Sequence, residues 1–176
     1  MRIITGIYKG RHFDIPKTFC ARPTTDFAKE NIFNVLNAYL DFSDTEALDL
    51  FSGTGSISLE LVSRGCNRVV SIEVNRNHHR FICDCLNKLE TDVCVPIRAD
   101  VFRFIASCRQ TFDFIFADPP YAHPKLGNLP QLVFEYGLLK PKGIFVLEHG
   151  KDYNFTSDTH FIEHRNYGSV NFSIFR

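Results

Sequence analysis

Ala47-Leu48-Asp49-Leu50-Phe51-Ser52-Gly53-Thr54-Gly55-Ser56 is the stretch that decides the fold. Ala47–Phe51 is mostly apolar and reads as a short buried strand. Ile57–Arg64 continues at helical spacing until Gly65, a favourable residue just past a helix end. Strand, tight turn and helix open a β–α unit. Gly53 and Gly55 let the chain turn sharply and let a ligand approach the backbone. A dinucleotide fingerprint places a third glycine three residues after Gly55, and this chain has Ser58 there. A lone G-x-G also fits a plain tight turn.

Working outward, the same alternation repeats. Arg68–Glu73 reads as a second strand and Asn75–Leu89 as a helix. Val93–Arg98 is a third strand, and Pro96 suits it to an edge. A short helix follows at Val101–Cys108. Phe112–Ala117 is a fourth strand, Asn128–Leu139 a helix, and Gly143–Glu148 a fifth strand. His160–Tyr167 and Val170–Arg176 read as two strands turning at Gly168-Ser169. Repeated β–α units predict an α/β fold: a doubly wound, mostly parallel, seven-stranded sheet with helices on both faces. Ligands of such sheets bind beyond the carboxyl ends of the strands, near the switch point.

Upstream, Arg2–Pro16 alternates around Gly6 and Gly10 and reads as a β-hairpin. Thr24, Thr25 and Asp26 offer helix caps. From there Ala28, Ile32, Val35, Leu36 and Tyr39 recur at helical spacing to about Leu40. The expected organisation is a hairpin arm over residues 1–25 and one domain over 26–176. The net charge is zero. Residues 1–25 nevertheless carry Arg2, Lys9, Arg11, Lys17 and Arg22 against Asp14, a local excess of positive charge. Such an arm can contact phosphates.

The six cysteines form no C-x-x-C pair, which excludes zinc-ribbon and thioredoxin-like readings. They read as reduced thiols of a cytoplasmic protein. No metal-ligand spacing occurs, so no metal is expected. No apolar stretch approaches a membrane span.

Acids mark the ends of three successive strands. Glu73 ends the second, placed to accept hydrogen bonds from ribose hydroxyls. Asp100 follows the third, where it can accept from an adenine amine while Val101 packs on the ring. Asp49 precedes the glycine turn, where it can order the loop or accept from an ammonium group. Three acids repel a pyrophosphate and suit a cofactor without phosphate. The pattern D-x-F-x-G-x-G with these acids resembles the class I S-adenosylmethionine-dependent methyltransferases, which have a Rossmann-like fold. The resemblance implies that Asp49, Ser52, Gly53, Gly55, Glu73, Asp100, Val101 and Asp118 border S-adenosylmethionine and its product S-adenosylhomocysteine.

The fourth strand leads into Asp118-Pro119-Pro120-Tyr121. Two prolines fix φ twice and remove two backbone donors. What remains is a rigid acceptor edge with a carboxylate and an aromatic ring. An exocyclic amine on a base is a poor nucleophile, because its lone pair is delocalised. If Asp118 and the Pro119 carbonyl hold its hydrogens, the nitrogen can lose planarity. Tyr121 can stack on the base. This loop resembles that of amino-methyltransferases of DNA, RNA and proteins, and by itself does not separate adenine from guanine or a glutamine side chain.

Arg22-Pro23-Thr24-Thr25-Asp26, followed by Glu30-Asn31-Ile32-Phe33-Asn34, resembles the signature of the bacterial 16S rRNA (guanine-N2)-methyltransferases of the RsmD type. Arg2-Ile3-Ile4-Thr5-Gly6, Lys9-Gly10-Arg11 and Tyr167-Gly168 match that family too. The resemblance implies an enzyme acting on 16S rRNA or an assembling small subunit, gripping RNA through Arg2, Lys9, Arg11, Arg22 and Thr24; a monomer is expected. The alternatives are an adenine-N6 methyltransferase and a catalytically idle RNA-binding module. Phe27 and Lys29 stand where the family carries arginines. Lys29 keeps the charge and puts one phosphate contact in doubt, and Phe27 suits the core equally well.

Overall fold

The computed structural model describes residues 1–19 and 25–176. Arg22 and Thr24 therefore lie outside the described residues. Among the described residues, seven strands form one sheet: β1 (Glu46–Leu50), β2 (Arg68–Ile72), β3 (Cys94–Ile97), β4 (Phe112–Ala117), β5 (Leu139–His149), β6 (Phe161–Tyr167) and β7 (Val170–Phe175). Their order is β3-β2-β1-β4-β5-β7-β6. The first five are parallel, and β7 lies antiparallel between β5 and β6. The order reverses between β1 and β4, which makes that crevice the switch point. The edge place of β3 accommodates Pro96.

The helices are α1 (Asp26–Leu36), α2 (Ser56–Ser63), α3 (Arg76–Leu89), α4 (Val101–Ser107) and α5 (Leu129–Glu135). One layer of side chains, including Ala47, Phe114, Phe116, Val146 and Phe172, packs under α1, α2 and α3. Leu48, Leu50, Ile115, Phe145 and Leu147 form the other layer, under α4 and α5. Both faces are thus sealed, which suits nearly continuous apolar strands.

Three expectations change. The first helix stops at Leu36, short of Leu40, with Thr25 Oγ1 capping its start by accepting the Ala28 N–H. The fifth strand begins at Leu139, because Gly137 in the left-handed region (φ +60°) closes α5 early. The N-terminal hairpin has no regular strands. It is a turn closed by one antiparallel bridge, Arg2 to His12.

Nor does that turn project freely. Ile3 and Phe13 enter the core. The Ile4 and Thr5 N–H groups donate to the Glu60 carboxylate at 2.8 and 3.0 Å. The Tyr8 N–H donates to Ser63 Oγ. Helix α2 thus carries the N-terminal segment on its outer side. Among the described residues, no helix is long and apolar enough to cross a membrane.

Candidate active site

Three side chains and two strand ends lock the glycine turn. Gly53 and Gly55 both have positive φ, +54° and +78°, so each takes a conformation that costs other residues energy. The Gly53 N–H donates to Glu73 Oε2 at 2.8 Å. Glu73 Oε1 accepts the Asn75 N–H at 2.6 Å. The last acid of the second β–α unit is therefore bonded to the turn of the first. Ser52 Oγ donates to the Asp49 carbonyl at 2.8 Å, and Ser71 Oγ donates to Ser52 Oγ at 2.8 Å.

Asp49 is buried and accepts hydrogen bonds from the Ser58 N–H and Ser58 hydroxyl. Burial pushes its carboxyl up to about 7, opposed by the Ser58 and Ser52 hydrogen bonds. Ser58 acquires a meaning that its place in a broken glycine fingerprint concealed. It fastens the first turns of α2 to β1.

The Asp118 N–H points to the Leu50 carbonyl at 3.4 Å, so the end of β4 sits against the end of β1. Pro119 is buried behind it, while Tyr121 is 40% exposed. The Tyr121 hydroxyl donates to Glu148 Oε1 at 2.9 Å, which fixes the ring's direction. The structure thus brings Asp49, Ser52, Gly53, Gly55, Glu73 and Asp118 together at the carboxyl ends of β1, β2 and β4.

Asp100 caps α4, its Oδ1 accepting the Arg103 N–H at 3.0 Å. Val101 is buried. This corner reaches the crevice through rings that the sequence did not single out. Phe102 meets Phe51 edge-on with centroids 6.0 Å apart, and stacks on His123 at 5.0 Å. Phe51 itself has positive φ (+62°), unusual for an aromatic residue. The signal lay in its place inside the glycine motif.

The basic residues are disposed differently. Arg2, Lys9 and Arg11 are exposed. Arg2 pairs with Asp26 at 3.2 Å, and Arg11 Nη2 donates to the Lys88 carbonyl at 2.9 Å. Lys29, where a phosphate contact was in doubt, is 1% exposed and cannot reach a phosphate. Its Nζ donates to the Arg2 carbonyl at 2.7 Å and to Ser56 Oγ at 3.0 Å. Phe27 is not a core residue; it is 65% exposed. Lys29 falls on the stripe of Ala28, Ile32, Phe33 and Leu36, and that i, i+3, i+4, i+7 spacing was the available signal for its burial.

The acceptor set fits a nucleoside without phosphate. The buried Glu73 carboxylate and the half-buried Asp118 flank the half-buried Gly53 backbone. A Cβ on Gly53 would meet nothing closer than 3.9 Å, so the backbone there is open to a ligand. Among the described residues, no group of three or more His, Cys, Asp or Glu is placed to hold a metal.

Known proteins resemble this chain over most of its length. The family model described as "Conserved hypothetical protein 95" matches residues 1–176. The "Putative rRNA methyltransferase YlbH" of Bacillus subtilis is 36% identical over 156 residues, covering 86% of this chain and 84% of its own length. The "Ribosomal RNA small subunit methyltransferase D" of Haemophilus influenzae is 32% identical over 160 residues, covering 86% and 80%. The solved structure of "Putative methyltransferase yhhF from Escherichia coli" superposes with a TM-score of 0.86 at 25% identity, covering 99% of this chain and 96% of the other.

Proposed function

The chain belongs to the Conserved hypothetical protein 95 family, that of the RsmD-type methyltransferases, and on that premise we propose that it methylates the 2-amino group of a guanine in 16S rRNA, in the cytoplasm, with S-adenosylmethionine as donor. The observation that carries this reading is the meeting of the Asp118 loop with the glycine turn at the β1–β4 switch point, Asp118 N–H against Leu50 carbonyl. Relatives named for methylation of small-subunit rRNA support the substrate.

In this reading Glu73 holds the ribose hydroxyls, Asp100 accepts from the adenine amine with Val101 against the ring, and Gly53 and Gly55 line the methionine portion. The donor supplies an electrophilic methyl group on a positively charged sulfur. The chain's own residues do the rest by position. The Asp118 carboxylate and the Pro119 carbonyl accept the two amine hydrogens and turn the nitrogen lone pair toward the crevice. Tyr121, its hydroxyl held by Glu148, supports the base by stacking. Transfer would form the N–C bond as the donor's C–S bond breaks, its electron pair staying on sulfur. The amine proton then departs to Asp118 or water. Most of the rate comes from holding the reacting atoms in line.

Nucleoside mass spectrometry of rRNA tests the assignment. A strain lacking the gene loses one N2-methylguanosine site in 16S rRNA; unchanged N2-methylguanosine at every site overturns it. Asp118→Ala retains donor binding and loses turnover.

A further inference from the structure

Phe27 lies in the first turn of α1, yet 65% of it is exposed, while Ala28, Lys29, Ile32 and Phe33 beside it are buried. Its ring meets Tyr167 edge-on, centroids 6.2 Å apart at 86°. Tyr167 ends β6 opposite Val170, the first residue of β7. Because β7 is antiparallel to β5, with Asn171 beside His149, this turn stands at the carboxyl end of β5. That is the sheet edge from which β4 releases Asp118.

The three aromatic residues also share a face. Val146 and Phe172 belong to the layer under α1, and Tyr167 packs against it. Glu148 alternates onto that face from Val146, and it holds the Tyr121 hydroxyl. Tyr121, Tyr167 and Phe27 therefore follow one another along a single rim. Between β4 and β6 lie β5 and β7, which spans about 14 Å at ordinary strand spacing. Arg2 is exposed beside the start of α1, paired with Asp26.

We propose that Phe27, braced by Tyr167, is a stacking platform for an unpaired RNA base flanking the methylated nucleotide. This rests on the function proposed above. The rim leads directly from the reactive loop, and a large ring on it is left facing water. An aromatic face takes any base and ignores its hydrogen-bonding edge. A neutral ring adds grip without a phosphate contact, so its contribution does not depend on salt, unlike that of an arginine.

Direct binding of a fluorescein-labelled single-stranded RNA carrying the methylated segment tests the platform without turnover. Phe27→Ala weakens binding about tenfold, in the range of one lost base stack. The salt dependence of the affinity is unchanged. Phe27→Trp restores the affinity, and both variants keep the wild-type melting temperature and donor affinity. In steady-state assays on 16S rRNA, Phe27→Ala raises KM for the RNA and leaves kcat unchanged. Equal RNA affinity of wild type and Phe27→Ala overturns the proposal. So does a weakening confined to assembled subunits, which would assign the ring to a protein. Absence of methyl transfer by the wild-type enzyme sinks the proposed function instead, and the binding measurement still decides on the platform.

Discussion

The Lys29 ammonium lies 3.7 Å from the Glu60 carboxylate, and both side chains are almost wholly buried. Glu60 also accepts from Arg64 Nε at 3.0 Å and from two backbone N–H groups of the N-terminal segment. Burial pulls the Lys29 ammonium below its ordinary value, and the nearby Glu60 charge opposes that pull. The cluster joins three pieces: α1, α2 just after the glycine turn, and the segment carrying Arg2.

Removing Lys29 leaves Glu60 its Arg64 partner and its two backbone donors, but it strips one counter-charge and two hydrogen bonds from a buried network, at a cost of about 1–3 kcal/mol. Lys29→Met is therefore expected to lower the urea midpoint sharply. It also frees the Arg2 carbonyl and Ser56 Oγ from their Nζ contacts. A stability within about 0.5 kcal/mol of wild type, the range of an ordinary surface change, would show that the cluster contributes nothing net.

Gly55 is held at φ +78°, and a Cβ there would come within 2.9 Å of Ile82 Cγ1. Gly55→Ala is expected to cost about 1–2 kcal/mol from the left-handed backbone alone. A chain of this size should lose about 2–4 °C of melting temperature per kcal/mol. Calorimetric titration with S-adenosylmethionine should show weaker binding as well. An unshifted melting curve would refute the strain.

Asp49 sets a pH dependence of known sign. Its folded value of about 7 lies above the ordinary 3.8. The folded chain thus keeps a proton that the unfolded chain releases, and stability falls as pH rises from about 4 to about 7. The slope from this group is about 1.4 kcal/mol per pH unit. Asp49→Asn should lack that fall, so urea midpoints of wild type and variant should diverge across pH 4.5 to 7.5. Parallel curves would mean that the carboxyl titrates normally.

Tyr121→Phe removes the hydroxyl that donates to Glu148 at 2.9 Å. A hydrogen bond to a carboxylate, worth about 1.5–3 kcal/mol, goes with it. Turnover on rRNA is expected to drop about tenfold, with donor affinity unchanged. Wild-type kcat would show that the hydroxyl does not orient the platform.

Much of this was legible in the chain because it is written in local patterns. The apolar runs at Leu48–Leu50 and Phe114–Ala117 have strand length, and glycines and prolines punctuate them at fixed places. Glu73 and Asp118 could be singled out because each directly follows such a run. The later elements were blurred where one residue decides a boundary, as Gly137 does for α5.

By itself, then, the sequence determined the β–α alternation, the strand ends at which to look and the acids around the glycine turn, whereas the place of the switch point came from the strand order. The first three depend on hydrophobic periodicity and on turn residues, which act over a few neighbours. Only the tertiary structure decided that Lys29 is an interior charge and Phe27 an exposed ring. Lys29 is stable inside because Glu60, 31 residues away in the chain, meets it across two helices. Phe27 is exposed because α1 turns its buried stripe of Ala28, Ile32 and Leu36 to the sheet and leaves position 27 on the rim. Burial is a property of what the fold brings alongside a residue, and the partners that decide it lie far off in sequence.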